Sequence, residues 1–183
     1  MLESKIIEHC APTLAGLKAA NLFTYKFASW QEFKKELQEQ NDVLNPKDVY
    51  IEIVKPKTNS ALLYVYRKKR LEENLSLKEV QKILHSFGYQ HFDTDRCIRV
   101  LKQRLSTSED FPHEIGLFLD YPLQDVCGFI EHKGKNYKFS GIWIVYGDVV
   151  FVKTLFDAFQ KCKEQYCQEF SLGKSIMQLT VAA

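Results

Sequence analysis

"VYIEIVKPKTNSALLYVYRKKR", from Val49 to Arg70, is the stretch that decides the fold. Two runs rich in β-branched and aromatic residues, "VYIEIVK" and "SALLYVYRK", flank the turn-forming residues from Pro56 to Asn59. Runs of this kind, separated by a short polar segment with proline, are typical of two adjacent strands. The stretch therefore predicts an antiparallel β-hairpin with a loop of about four to five residues.

Capping boxes predict a helix on each side of this hairpin. Ser29 and Glu32 have the spacing that satisfies two helix-terminal amides reciprocally, which predicts a helix starting at Trp30. Ser76 and Glu79 repeat the pattern and predict a second helix, which should end at Gly88 in a left-handed cap. Apolar residues at helical spacing predict a further helix over Thr94–Leu105.

Proline organises the N-terminal segment in this prediction. "ESKIIEHCA" has the pattern of a short helix, which Pro12 should end. Because proline is favoured at the first position of a helix, "PTLAGLKAANLF" is predicted to be a second helix that begins at Pro12.

The segment from Phe111 onwards alternates between predicted strands and helices. "EIGLFLDY" lies between Pro112 and Pro122 and is too short for a good helix, so it is predicted to be a buried strand. Pro122 should then open a helix that Gly134 ends. "NYKFSGIWIVYG" reads as a strand, and a long helix over Asp148–Phe170 precedes a short last turn.

These elements predict an α+β (or mixed α/β) fold. The 183 residues suit a single domain, 1–183, that buries its own core without disulfides or metals. Helices and strands are interleaved, with at least one hairpin. We therefore expect one layered domain with a central, mostly antiparallel or mixed sheet of about five strands packed with helices.

Composition excludes several classes of function. A formal net charge of +2 gives no electrostatic footprint of a nucleic-acid-binding protein. No apolar run approaches the ~18 residues that a membrane span needs. The first ten residues, "MLESKIIEHC", contain acidic residues and no apolar core, so they do not have the pattern of a signal peptide. The odd number of widely spaced cysteines, five, favours a reducing compartment. We expect a cytoplasmic protein that contacts neither membrane nor nucleic acid.

His9 and Cys10 are the first candidate site. If a helix begins at Pro12, Cys10 precedes its N-terminus, where the helix dipole lowers the pKa of a thiol and favours the thiolate. His9 could assist as a base or as a second ligand. The alternative is that Cys10 is a small buried residue that packs as a hydrophobe, which is the usual state of a free cysteine.

His113 and Glu114 are the second candidate site. Neighbours on a strand point to opposite faces, so the two side chains should not act on the same substrate atom. One of them could still serve a site. The alternative is that Pro112 sets a turn and that His113 bonds a neighbouring carbonyl, and the sequence favours this alternative.

Other motifs carry little chemistry. The sequence has no H-E-x-x-H, no C-x-x-C, no phosphate-binding loop and no G-x-S-x-G elbow. The basic run Arg67–Arg70 could touch phosphates, but a solvated exit from the hairpin is favoured at this net charge. The aromatic residues from Trp143 to Phe159 should form core, although they could also wall a flat ligand.

Three blocks of sequence resemble a known family. They are "HCAPTLAGLKAANLF" (His9 to Phe23), "FPHEIGLFLDYPLQDVCGFIEHKGKNYKFSGIWIVYGD" (Phe111 to Asp148) and "QLTVAA" at the C-terminal end. The likeness is to domain of unknown function 3793, a family mainly of anaerobic Gram-positive bacteria. The resemblance implies no established activity. It does imply redox or metal-handling neighbours, including flavodoxin-like proteins, and it directs attention to His9, Cys10, Pro12, His113 and Glu114.

Three hypotheses follow from these residues. The first is a protein that binds a metal ion, haem or another redox cofactor through Cys10 and His113 with support from His9, because thiolate and imidazole suit iron, copper or zinc. The second is an accessory protein that docks a partner such as a flavodoxin-like protein. The third is a small enzyme with Cys10 as nucleophile, His113 or His9 as base and Glu114 as the orienting group. The sequence ranks them in this order.

Overall fold

The computed structural model describes residues 1–107 and 111–182. In chain order, its α-helices and strands are α1 (Leu2–Leu14), β1 (Ala20–Lys26), α2 (Trp30–Leu44), β2 (Val49–Lys57), β3 (Ser60–Arg67), α3 (Lys68–Ser76), α4 (Lys78–Ser86), α5 (Thr94–Thr107), α6 (Ile115–Phe118), α7 (Leu123–His132), β4 (Phe139–Ser140), β5 (Ile144–Val145), α8 (Val149–Ser171) and α9 (Ile176–Leu179), and a 3-10 helix, Asn45–Lys47, joins α2 to β2. Two compact units are distinguished. Unit 1 comprises Met1–Leu71 and Lys161–Ala183, and unit 2 comprises Glu72–Gln160.

The predicted hairpin forms the centre of unit 1. β2 and β3 pair antiparallel, and β1 pairs antiparallel with the other edge of β3, which gives the strand order β1-β3-β2. The loop is shorter than expected, since only Thr58 and Asn59 separate the strand ends. The α+β class is confirmed. The single sheet of about five strands is wrong, because the described residues form this three-stranded sheet and a separate two-stranded one, β4-β5.

The break predicted at Pro12 is also wrong. α1 runs without interruption from Leu2 to Leu14, with Pro12 in its last turn. There proline removes the bond that its own N–H would donate to the carbonyl of Glu8, and its ring crowds that carbonyl, so the helix continues through Pro12 at a local cost. The residues after Gly16, predicted to be helical, instead turn back as β1.

One face of the sheet packs against α1 to form the core of unit 1. Phe23 and Leu63 are directly paired across β1 and β3, and Ile51 lies on the same face of β2. They are buried against apolar side chains of α1, among them Ile6 and Leu14. The alternating pattern of β2 and β3 therefore places these residues in the core, as the period of a strand requires.

Arg67, at the end of β3, is buried, whereas the basic run was expected to be solvated. Its Nε donates to the carbonyl of Thr13 at 2.6 Å, and its Nη2 donates to those of Leu14 at 2.6 Å and Val181 at 2.9 Å. Thr13 and Leu14 form the last turn of α1, whose carbonyls have no partners within the helix. A guanidinium is suited to this place because it is a cation with several donors at a helix C-terminus.

The C-terminal segment is fastened at the same place. The Nζ of Lys47 donates to the carbonyls of Met177 at 2.6 Å and Thr180 at 2.5 Å. The backbone N–H of Val181 donates to the carbonyl of Leu14 at 3.1 Å. The segment from α9 onwards is therefore held by cations that donate to its carbonyls and by the carbonyl of Leu14, which accepts from the N–H of Val181.

Unit 2 begins with helices that the sequence predicted in part. Gly88 has a φ of +91° after α4 and ends that helix as predicted, and α5 is confirmed over Thr94–Thr107. Ser76 is not the cap of α4. It is the last residue of α3, and its hydroxyl donates to the carbonyl of Glu73. A serine can bond its own preceding turn as readily as the turn that follows it.

The strand predicted over Glu114–Tyr121 is wrong, because these residues form the helical turn α6. The predicted strand "NYKFSGIWIVYG" is divided into β4 and β5, which turn about Gly141. The predicted helices at Pro122 and over Asp148–Phe170 are confirmed as α7 and α8. None of the helices in the described part of the chain has both the length and the apolar character needed to cross a bilayer.

Replacing Arg67 by alanine tests the cap on α1. The carbonyls of Thr13 and Leu14 keep one backbone donor each but lose the guanidinium, and that of Val181 loses its charged donor. Hydrogen bonds to charged groups contribute about 1.5–3 kcal/mol each, so unfolding should become about 3 kcal/mol easier. Urea denaturation in a Trp143→Phe background, where Trp30 fluorescence reports on unit 1, measures the change. Exposed Lys69→Ala is the control and should change stability by less than about 0.5 kcal/mol. Equal stabilities of the two variants would contradict this role of Arg67.

Candidate functional site

Cys10 lies inside α1 and is part of the core of unit 1. It does not precede a helix N-terminus, and its side chain is fully buried among apolar residues. Burial raises the pKa of the Cys10 thiol well above its usual value, and the positive charge of Lys18 opposes this only in part. The thiol therefore stays protonated, which is the opposite of what a cysteine nucleophile or metal ligand requires.

His9 is exposed although it adjoins Cys10 in the sequence. Its ring stacks on that of Phe23, with the ring centroids 5.0 Å apart, and its Nε2 lies 4.0 Å from a carboxylate oxygen of Glu8. Desolvation lowers the pKa of His9, and Glu8 acts in the opposite direction. Consecutive residues of a helix point about 100° apart, so the imidazole and the buried thiol face different surroundings.

The other thiols differ in exposure. Burial raises the pKa of Cys97 to about 12 and that of Cys162 to about 11. Cys97 also donates from Sγ to the carbonyl of His91 at 3.3 Å. Cys127 is exposed on α7, and its pKa is also raised by desolvation. The environments of these three cysteines and that of Cys10 all disfavour the thiolate.

Glu114 is the best-satisfied polar group of the second candidate site. Its carboxylate is fully buried and forms an ion pair with Arg104, whose Nε donates to Oε1 and whose Nη2 lies 3.4 Å from Oε2. The hydroxyl of Tyr89 donates to Oε1 at 3.1 Å. Burial, followed by the charge of Glu114, raises the pKa of Tyr89. These bonds tie α5 to the turn before α6, which is a structural use of the carboxylate.

His113 faces a different neighbour from Glu114. Its ring meets that of Phe129 edge-on, with centroids 5.2 Å apart. Phe129 in turn lies 5.4 Å from Trp143, which stacks on Tyr121 at 4.6 Å. The sequence indicated that the two side chains would diverge, and they do, although for a reason other than a strand.

Asp125 is a polar group that the sequence analysis did not select. It is buried near the start of α7, and its Oδ1 accepts from the backbone N–H groups of Tyr146 and Gly147, both at 2.8 Å. Its Oδ2 and the indole N–H of Trp143 are both buried without a hydrogen-bond partner in the described part of the chain. An acidic residue three positions after Pro122 was the available signal, because carboxylates are favoured in the first turn of a helix.

The candidates from the sequence thus belong to two units. His9 and Cys10 lie in unit 1, and His113 and Glu114 lie in unit 2. Within residues 1–107 and 111–182, no three His, Cys, Asp or Glu side chains are grouped so that they could hold a metal ion. In each pair one residue, Cys10 or Glu114, is fully buried. The other is a histidine whose ring contacts that of a phenylalanine.

The β4-β5 hairpin and the start of α8 carry exposed apolar side chains. Ile142, at the hairpin turn, is 54% exposed, and Val150 and Phe151, in the first turn of α8, are 77% and 58% exposed. The two elements are in contact, because the Phe156 ring lies 2.9 Å from the position that a Cβ on Gly141 would occupy. A side chain at Gly141 would therefore collide with the Phe156 ring unless that ring moved. Large exposed apolar groups on neighbouring elements are the kind of group that contact surfaces carry.

Comparison with known proteins identifies the family but not a function. The family described as "Protein of unknown function (DUF3793)" matches residues 6–180. The chain belongs to the DUF3793 family. The family resemblance expected from the three sequence blocks is confirmed. The DUF3793 match includes both candidate pairs and the exposed hairpin, and no match was found among curated proteins or solved structures.

Thiol alkylation distinguishes the environments of Cys10 and Cys127 in this DUF3793 protein. We expect iodoacetamide to modify exposed Cys127 in the folded protein and to leave Cys10 unmodified, because Cys10 has neither access nor an accessible thiolate. Peptide mass spectrometry over a time course measures both rates, and the urea-unfolded protein provides the reference for full reactivity. A Cys10 rate above that of Cys127 would restore Cys10 as a nucleophile.

Substitution of Glu114 tests whether the carboxylate is structural. Glu114→Gln leaves the guanidinium of Arg104 without its counter-ion, although that side chain is 34% exposed and partly hydrated. Loss of one partner of a buried pair costs 3–5 kcal/mol, so we expect a loss of about 3 kcal/mol of stability. Trp143 fluorescence in a Trp30→Phe background follows the urea unfolding of unit 2. Exposed Glu131→Gln is the matched control, and a similarly small effect of both changes would show that the buried pair is dispensable.

Proposed function

We propose that this DUF3793 protein is a binding protein without chemistry of its own, which docks a partner protein through the β4-β5 hairpin and the first turn of α8. The observation that carries this proposal is the exposure of Ile142, Val150 and Phe151 on two elements in contact. Aromatic side chains such as that of Phe151 are enriched at protein interfaces, where a few buried anchors contribute most of the binding energy.

The surroundings of the polar candidates support a non-catalytic role. Cys10 is buried and protonated, and Glu114 is already paired with Arg104 and Tyr89. An enzyme using Cys10 as nucleophile and Glu114 as orienting group would have to break both arrangements. Docking thus replaces the Cys/His ligand site as the preferred hypothesis.

A flavodoxin-like redox protein is the partner to test first. The resemblance to the family implied such company, and the free cysteines favour a reducing compartment, the cytoplasm. The proposal assigns the recognition to apolar contact, so binding should depend little on salt.

A second candidate function is the binding of a small polar ligand or metal beside His113. It is favoured by the buried indole N–H of Trp143 and the buried Oδ2 of Asp125, which have no partner among the described residues. Native mass spectrometry of protein purified without oxygen or a metal-affinity tag tests it. Extra mass that is lost in His113→Ala favours this site, and extra mass that is lost in Cys10→Ala favours the original Cys10 site.

Substitutions on the hairpin and on α8 test the docking proposal. Ile142→Asp and Phe151→Asp should each weaken binding of a purified flavodoxin-like partner at least about tenfold, since an anchoring residue contributes more than about 1.4 kcal/mol. Leu172→Asp, at a position that is 78% exposed in unit 1, is the control and should leave the dissociation constant unchanged. Isothermal titration calorimetry measures all three.

A photo-crosslinker placed at residue 151 extends the test to other partners, with residue 172 as the matched position. A protein adduct formed at 151 and not at 172 would support docking at this surface. Equal adducts at both positions, or an unchanged affinity of Phe151→Asp, would overturn the proposal.

A further inference from the structure

The backbone of β1 has a definite inner and outer side. The N–H of Arg67 donates to the carbonyl of Ala19 at 2.9 Å, and the N–H of Phe27 donates to the carbonyl of Asn59 at 3.1 Å. Hydrogen-bonded pairs alternate along an antiparallel ladder, so odd-numbered residues of β1 direct their backbone groups to β3. Those of Leu22, Thr24 and Lys26 therefore point away from the sheet.

These outward groups are open. Thr24 and Lys26 are exposed and Leu22 is half-buried. In the described part of the chain, no hydrogen bond occupies the outward N–H or C=O groups of these three residues. The register with β3 is continuous from Ala20 to Lys26, without a bulge or proline. β1 is therefore a regular strand with an unoccupied edge.

The opposite edge of the same sheet is protected. The side chain of Asn41 donates to the carbonyl of Ile51 at 3.1 Å and accepts from its N–H at 2.9 Å, as a neighbouring strand would. Further along β2, the register shifts between Ile53 and Lys55, and Pro56 follows. Bulges, prolines and charged side chains are among the devices that prevent an edge from pairing. β1 carries neither a bulge nor a proline, and Lys26 at its end is its only charged residue.

The sequence of β1 is complementary to itself about Thr24. In an antiparallel pair of two copies centred on this residue, Thr24 lies opposite Thr24 of the second copy, and Leu22 lies opposite Lys26. All of these positions have outward backbone groups. Phe23 then lies opposite Tyr25 of the second copy, in non-hydrogen-bonded pairs where side chains approach most closely. Paired threonines and paired aromatics are favourable across strands, and no like charges are opposed.

We propose that two copies of this chain associate through β1, antiparallel about a two-fold axis at Thr24, to form one continuous six-stranded sheet. This association uses a strand of unit 1, whereas the docking surface for a partner lies in unit 2. The two proposals can therefore fail separately.

Thr24→Lys is the decisive variant. It places two lysines directly opposite each other at the two-fold axis, while the side chain is exposed and the hydrogen bonds of the neighbouring Phe23 and Tyr25 to β3 are unaffected. Sedimentation velocity over a range of concentrations should show a dimer for the wild type and at least a tenfold higher dissociation constant for the variant. Thr58→Lys, an exposed threonine in the β2-β3 loop, should remain dimeric. Circular dichroism confirms that all three are folded.

A disulfide at the axis checks the geometry independently. Cα atoms of a hydrogen-bonded antiparallel pair are about 5.5 Å apart, within the range of about 4.4–6.8 Å that a disulfide spans. In a Cys127→Ser background, Thr24→Cys should form a covalent dimer on mild oxidation, and Thr58→Cys should not. A wild-type chain that is monomeric at submillimolar concentration would overturn the proposal. So would a Thr24→Lys variant that dimerises as well as the wild type.

Discussion

The buried guanidinium of Arg67 is the interaction on which unit 1 depends. It satisfies carbonyls at the end of α1 and in the C-terminal segment from a position at the end of β3. Desolvation lowers the pKa of Arg67, and the nearby Asp48 opposes that shift. Segments that are distant in the sequence meet here because one planar cation offers several donors in fixed directions. A lysine or an apolar residue could not bond the same set of acceptors.

The local parts of this fold could be predicted from the sequence, and the parts set by distant residues could not. The β2-β3 hairpin and α8 were predicted because a repeated pattern and flanking turn residues identify them without reference to the rest of the chain. Pro12 was misinterpreted because proline late in a helix removes a hydrogen bond and crowds a carbonyl, so the local pattern favours a helix start there. Only the packing of α1 as a whole in the core of unit 1 makes the helix continue through Pro12. Arg67 stands among three other basic residues, and only the end of α1 makes its burial favourable.

The same distinction applies to the candidate sites. His9, Cys10, His113 and Glu114 were selected for their chemistry, which a sequence displays, but their surroundings were not visible. Cys10 lost its assigned role because α1 continues through Pro12, and Glu114 is committed to Arg104, which lies 10 residues earlier on another helix. Asp125 was overlooked because the groups that bond its carboxylate are two backbone N–H groups that lie 21 and 22 residues further along the chain. Exposure of Ile142 and Phe151 likewise depends on which side of the hairpin and of α8 is covered.

The side chain of Asn41 on the edge of β2 has a consequence for how this protein can assemble. A sheet with two open edges can add copies indefinitely in both directions, which is the route to fibres. Asn41 occupies the backbone groups of Ile51, and the irregular backbone beyond it discourages pairing along the rest of that strand. Growth through the sheet can therefore proceed from one side only. Two chains that pair through β1 leave no further open strand in this sheet, so association along this edge stops at a dimer and does not continue into a fibre.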